Sequence, residues 1–187
     1  MSEGSLFFEE RGAVQNALRK ITTRLTELEI PYVVVGGMAL FLHGYRRFTD
    51  DVDLLVTPEG LKKIHEALEG LGYVPPFSGS KQLRDTEFGV KIEFLVTGGF
   101  PGDGKPKPVA FPDPANVGEE IAGLRVLTLP KLIELKLASG LSNSSRLRDL
   151  ADVLELIKVA QLGPEYANQL DDSVRAKFLE LHQAAQS

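Results

Sequence analysis

Two carboxylates alternate along a short apolar run, Asp51-Val52-Asp53-Leu54-Leu55-Val56, and this stretch restricts the fold more tightly than any other. Successive side chains of a strand point to opposite faces, so Asp51 and Asp53 share one face while Val52, Leu54 and Val56 take the other. Like charges side by side on a strand face repel, and something positive is needed between them. A hard divalent cation carrying a phosphate meets that need. Upstream, Tyr32 to Val35 reads as a buried strand that breaks at Gly36-Gly37 and turns into a short helix, Met38 to His43, closed by Gly44. Glycines allow the tight strand-to-helix turn and let phosphate oxygens approach the backbone amides.

The remaining elements follow from periodicity and punctuation. Leu18, Ile21, Leu25 and Leu28 recur at helical spacing, predicting a helix over about 9–29 that ends before Pro31. Thr57-Pro58-Glu59 is a helix start, with Thr57 as cap, and the helix would bury Leu61, Ile64, Leu68 and Leu71. Tyr73 to Phe77 is a candidate short strand, and Lys81 to Glu87 a candidate edge strand. Val90 to Val96 alternates cleanly, with Ile92, Phe94 and Val96 on one face and Lys91, Glu93 and Leu95 on the other. Residues 98–118 are rich in Gly and Pro and read as a long loop, of the kind that covers a site. Leu124 to Leu127 is a last strand, and from Leu129 only helices are expected: 130–139, 144–159, and 164–185 with a break near Asp171. The fold class is therefore α+β: a small mixed or antiparallel sheet with flanking helices over 1–127, followed by a C-terminal helical bundle over 128–187.

If the strands carrying Asp51, Asp53 and Glu93 are neighbours, three carboxylates converge on one or two Mg²⁺ ions, the apparatus of in-line displacement at phosphorus. Asp85 or Glu87 could instead fill the third place, and Asp50 falls on the opposite face. On the helix after Pro130, Leu129, Leu132, Ile133, Lys136 and Leu137 form one stripe, with Lys131 and Glu134 outside it. A lysine within an apolar stripe either snorkels to water or serves a buried anion. Asp152 reads as an i,i+4 salt pair with Arg148. Arg46, Arg47, Arg146 and Arg148 are a solvated surface or, if the two halves close together, a small basic rim. None of the three histidines is assigned to a metal.

Val35-Gly36-Gly37-Met38-Ala39-Leu40 followed by Arg47-Phe48-Thr49-Asp50-Asp51-Val52-Asp53-Leu54 resembles the signature of the polymerase-β-like nucleotidyltransferase superfamily. The Arg-x-Thr-x-Asp-x-Asp form is similar to small bacterial members related to the abortive-infection toxins of toxin–antitoxin systems. The resemblance implies that Gly36 and Gly37 hold nucleotide phosphates, that Asp51, Asp53 and Glu93 bind Mg²⁺ and carry catalysis, and that Arg47 and Thr49 steady the site or touch substrate. Many members have Asp where Glu93 stands, and the commoner Ser after the first glycine is absent here, Gly37 being followed by Met38. Toxin-like relatives also carry a Lys on the first helix of the helical half and an Arg/Lys-Asp-Leu-x-Asp segment on the next. Here these are Lys136 and Arg148-Asp149-Leu150-Ala151-Asp152, with Lys136 on nucleotide phosphate and Asp149 orienting it.

The expected activity is Mg²⁺-dependent transfer of a nucleoside monophosphate from an NTP to an acceptor hydroxyl, on a tRNA, a protein or a small molecule. An antitoxin is an implied partner. The second reading is a catalytically silent nucleotide-binding or regulatory protein on the same fold. A net charge of -5 argues against a general nucleic-acid coat, and the lack of cysteine excludes disulfides and thiolate metal sites and fits a reducing cytoplasm. No apolar run approaches the ~20 residues of a membrane span, and Met1-Ser2-Glu3-Gly4-Ser5 lacks the features of a signal peptide.

Overall fold

The computed structural model describes residues 3–187, with side chains from residue 12 onward. Helix α1 (Glu3–Glu27) leads into β1 (Val33–Val35), α2 (Gly36–Leu42), β2 (Asp51–Val56) and α3 (Pro58–Leu68). Strands β3 (Tyr73–Val74), β4 (Gln82–Asp85) and β5 (Lys91–Val96) follow; after a long connection come β6 (Gly118–Ile121) and β7 (Leu124–Leu127). The chain then turns wholly helical, with α4 (Leu129–Ser142), α5 (Leu147–Val159) and α6 (Asp172–Ala185). The strands form one seven-stranded mixed sheet in the order β3-β4-β5-β2-β1-β7-β6. The helices α4, α5 and α6 pack on one another.

The centre of the sheet is fixed by the alternation in β2. Val52, Leu54, Leu55 and Val56 are fully buried. A slip of one residue would turn Val52, Leu54 and Val56 toward the carboxylate face, losing about 1.5–3 kcal/mol for each side chain brought into water. Strand β2 pairs antiparallel with β1 and parallel with β5, in a register that sets Asp53 opposite Val35 on one side and Glu93 on the other. Helix α1 lies against β2, burying Val14, Ala17, Leu18, Ile21 and Leu25 along one stripe. Thr57 caps α3, its hydroxyl accepting from the Gly60 N–H at 2.9 Å, with Pro58 in the first turn.

Several sequence expectations are corrected. Leu71 is 71% exposed, because α3 ends at Leu68 and the chain turns through Gly70 and Gly72, both at positive φ. The segment around β4 is not an edge, since β3 pairs outside it. The short strand begun at Tyr73 stops at Val74. The outer strand β6 was hidden in a Gly/Glu-rich segment whose ladder to β7 supplies the ordering that composition does not. Glu134 is buried rather than outside the apolar stripe: α4 is enclosed on nearly all sides from Leu132 to Gly140. Its carboxylate accepts from the Asp171 N–H at 2.9 Å and pairs with Lys131 at 2.9 Å, tying α4 to the start of α6. The break near Asp171 is present, and Asp171 caps α6 through the Ser173 N–H at 2.9 Å.

Candidate functional site

The parallel pairing of β2 with β5 brings three carboxylates together. One oxygen each from Asp51, Asp53 and Glu93 lies within 4.8 Å of the others. Asp85 and Glu87 are elsewhere: Asp85 is fully buried, accepts the Glu87 and Phe88 N–H groups at 2.8 and 3.0 Å, and pairs with Lys20 at 3.1 Å. Glu87 also pairs with Lys20, at 2.8 Å. Both carboxylates therefore fasten α1 to the β4–β5 hairpin.

The glycine turn shapes the floor of the site. Gly36 has φ +65, a conformation costly for any residue with a side chain, and a Cβ there would lie 2.7 Å from Cγ of Asp53. A Cβ at Gly37 would lie 2.7 Å from the Thr49 hydroxyl. Thr49 in turn donates to Oδ1 of Asp51 at 3.2 Å, holding that carboxylate in place. The two glycines thus keep the backbone close against the acidic cluster and leave room for the threonine that orients it.

One cation faces the cluster directly. Lys91 lies 3.4 Å from Asp51 and 3.7 Å from Glu93. Although its partial burial works against the charge, Asp51 and Glu93 hold the Lys91 ammonium above its usual range. One ammonium does not offset three carboxylates. Burial, followed by the charges of Asp51 and Glu93, pushes the Asp53 carboxyl up to about 7. An all-oxygen donor set with an excess of negative charge fits a hard divalent cation, which would relieve that repulsion. Sequence reasoning did not pick out Lys91, although its place two residues before Glu93 on one strand face was the available signal.

Across the cleft, α4 and α5 present a second charged group. Lys136, nearly buried, is 2.9 Å from Asp149 and 2.9 Å from Asp152. Asp149 also accepts from Ser139 at 2.6 Å; burial opposes its charge, but Lys136 and Ser139 hold its carboxyl below the usual range. Asp152 does not pair with Arg148. It is 2% exposed and bridges Lys136 to Arg47, whose Nε and Nη2 lie 2.9 and 3.1 Å from its two oxygens. The i,i+4 reading failed because Asp152 is buried where two cations, Lys136 of α4 and Arg47 of the connection between α2 and β2, meet it. Ser139 lines the cleft and Asp152 pairs with Lys136 and Arg47 without lining it; the one-stripe reading of the helices revealed neither contact.

Most of these groups share one cleft of about 610 Å³, lined by Gly36, Gly37, Arg47, Thr49, Asp51, Asp53, Glu93, Lys136 and Asp149, with Arg146 and Arg148 as well; Lys91 and Asp152 lie outside its lining. Asp50, expected to face away, also reaches this cleft, since it precedes β2 and is not held by the strand's alternation. Arg46 stays outside it and lies over the Phe41 ring, 5.9 Å from the centroid.

The fold is that of nucleotidyltransferases of known structure. A protein of Thermotoga maritima assigned to that class superposes with a TM-score of 0.51 at 22% identity, over 74% of this chain and 92% of its own. A nucleotidyltransferase-like antigen of Paracoccidioides brasiliensis gives 0.56 at 17% identity, over 92% and 88%. ANT(2″)-Ia in complex with adenylyl-2″-tobramycin gives 0.53 at 16% identity, over 88% and 96%. No curated protein sequence matches the chain. The profile of the uncharacterised nucleotidyltransferase family matches residues 7–161, and the chain belongs to that family.

Proposed function

We propose that this nucleotidyltransferase moves a nucleoside monophosphate from an NTP to an acceptor hydroxyl, with Mg²⁺ held by Asp51, Asp53 and Glu93. The convergence of the three carboxylates at the Gly36-Gly37 turn is the observation that carries this reading. When bound, the metal would neutralise the triphosphate and lower the pKa of the attacking hydroxyl. The chain's own residues divide the remaining work. The backbone of Gly36 and Gly37, at the start of α2, lines the cleft where the phosphates would lie, Thr49 keeps Asp51 in position, and Lys136, oriented by Asp149 and Asp152, adds positive charge on the opposite wall. Glu93 takes the acceptor's proton; at 38% side-chain exposure it is more open to an incoming hydroxyl than Asp51 at 25%. A bond forms between the acceptor oxygen and the α-phosphorus, the bond to the β-phosphate bridging oxygen breaks, and pyrophosphate leaves.

Arg146 and Arg148, exposed at the cleft, favour an anionic acceptor such as a tRNA end over a cationic small molecule. On the resemblance to toxin–antitoxin enzymes, induction of the chain would arrest growth, and an antitoxin partner would relieve the arrest. The proposed NTP donor would suit a reaction in the cytoplasm; among the described residues no helix is long and apolar enough to cross a membrane. The chain divides into a catalytic core over 1–127 and a helical part over 128–187 that closes the cleft.

The test is incubation with α-³²P-labelled NTPs, Mg²⁺ and total cellular RNA or protein, beside Asp53→Ala. Label in one fraction with wild type and none with Asp53→Ala is expected. Equal labelling by the two proteins, or none with either, would count against the reading.

A further inference from the structure

The cleft has two chemically unlike ends. One carries the carboxylates and the glycine turn. The other is an apolar wall made by Leu95 of β5, Phe100 and Phe111 of the long connection, and Leu127, Leu132 and Leu135 at the β7–α4 junction. Leu127, Leu132 and Leu135 are almost wholly buried and form its backing, whereas Leu95, Phe100 and Phe111 stay partly exposed and form its open surface.

The wall is built rather than loose. The Gly98 and Phe111 N–H groups donate to the Phe111 and Gly99 carbonyls at 2.9 and 2.8 Å, closing the connection at its base. A Cβ on Gly99 would lie 3.2 Å from the Phe111 ring, so the ring rests directly on that glycine. The Lys107 ammonium binds the Pro101 and Lys105 carbonyls at 2.7 Å each and Asp103 at 2.8 Å, and sits 5.8 Å from the centroid of Phe100. Gly102, at φ +76, is pressed against α4, where a Cβ would lie 2.8 Å from the Ser139 carbonyl. Such tethers hold both rings in place before any ligand arrives.

Resting on the proposed nucleotide reading, we infer that this wall seats the nucleobase of the donor and selects it by stacking and shape, not by its hydrogen-bonding edge. An NTP joins an anionic end to an aromatic end in one molecule, which matches the cleft's two ends. Several polar groups of the cleft near the wall are already engaged: Ser139 and Lys136 with Asp149, the Pro101 carbonyl with Lys107, the Gly102 carbonyl with Arg146 at 3.4 Å. With those groups spoken for, all four bases bind alike apart from the larger stacking area of purines.

Calorimetric titration with ATP, GTP, CTP, UTP and inorganic tripolyphosphate, each with Mg²⁺, tests the inference on wild type, Phe111→Ala and Phe100→Ala. Wild type is expected to bind the four NTPs within about tenfold of one another. In each variant the affinity for ATP relative to tripolyphosphate should fall by about fivefold or more, while tripolyphosphate binding stays unchanged. A spread above about a hundredfold among the NTPs, or an unaltered ratio in the soluble variants, would overturn it. Phe100 lies in the connection outside the sheet, so its variant keeps the test available if Phe111→Ala fails to fold. Loss of tripolyphosphate binding in wild type itself would instead remove the carboxylate reading beneath the inference.

Discussion

Gly36 and Asp53 occupy space that admits no side chain between them: a Cβ on Gly36 would lie 2.7 Å from Cγ of Asp53. Replacement by alanine therefore does two things. It places an L residue at φ +65, costing about 1 kcal/mol, and it drives the Asp53 carboxylate out of the cluster. Gly36→Ala should lose about a hundredfold or more in label transfer with a modest drop in melting temperature. Retention of near-wild-type transfer would show that the close approach is not needed.

The charge on Asp53 sets a pH dependence with a definite sign. Its carboxyl is raised from 3.8 to about 7, first by burial and then by Asp51 and Glu93. A raised acid favours the folded state below pH 3.8, and that advantage is lost as the pH climbs through 7. In EDTA, Asp53→Asn should therefore be more stable than wild type at pH 8, by about 1–2 kcal/mol, with the gap narrowing toward pH 5.5. Urea unfolding at the two pH values measures this. Mg²⁺ binding requires the ionised form, so Mg²⁺ affinity should rise with pH through 7.

Asp152 ties the connection between α2 and β2 to the helices α4 and α5. With its oxygens bridging Arg47 and Lys136, Asp152→Ala leaves two cations without their common partner. A loss of about 3 kcal/mol in urea unfolding is expected, with a smaller loss for Asp152→Asn, which keeps an acceptor oxygen. If alanine costs less than about 0.5 kcal/mol, the bridge is a surface pair in energetic terms.

The central strands were legible because their signals are local. Alternation alone placed Asp51 and Asp53 on one face, and the same alternation put Glu93 and Lys91 on one face of β5. That β2 and β5 lie side by side, in a register setting Asp53 against Glu93, is a long-range pairing that no window of residues carries. Asp152 shows the same limit. Its sequence neighbour Arg148 looked like its partner, but Arg47 and Lys136 reach it through the tertiary fold. Glu134 looked solvent-facing because a single helix was treated as having one covered side, whereas α4 is buried on nearly all sides and packs against both α5 and α6. Strand β6 carried too little hydrophobicity to announce itself, and its pairing with β7 orders it.

Calorimetric titration of ATP into wild-type protein and Asp51→Asn, with Mg²⁺ and then with EDTA, tests most directly whether the three carboxylates form a metal–triphosphate site. The account predicts that wild type binds ATP at least about tenfold more tightly with Mg²⁺, and that Asp51→Asn shows little or no such gain. Equal ATP affinity in Mg²⁺ and in EDTA for wild type, or a full Mg²⁺ gain in Asp51→Asn, would contradict it.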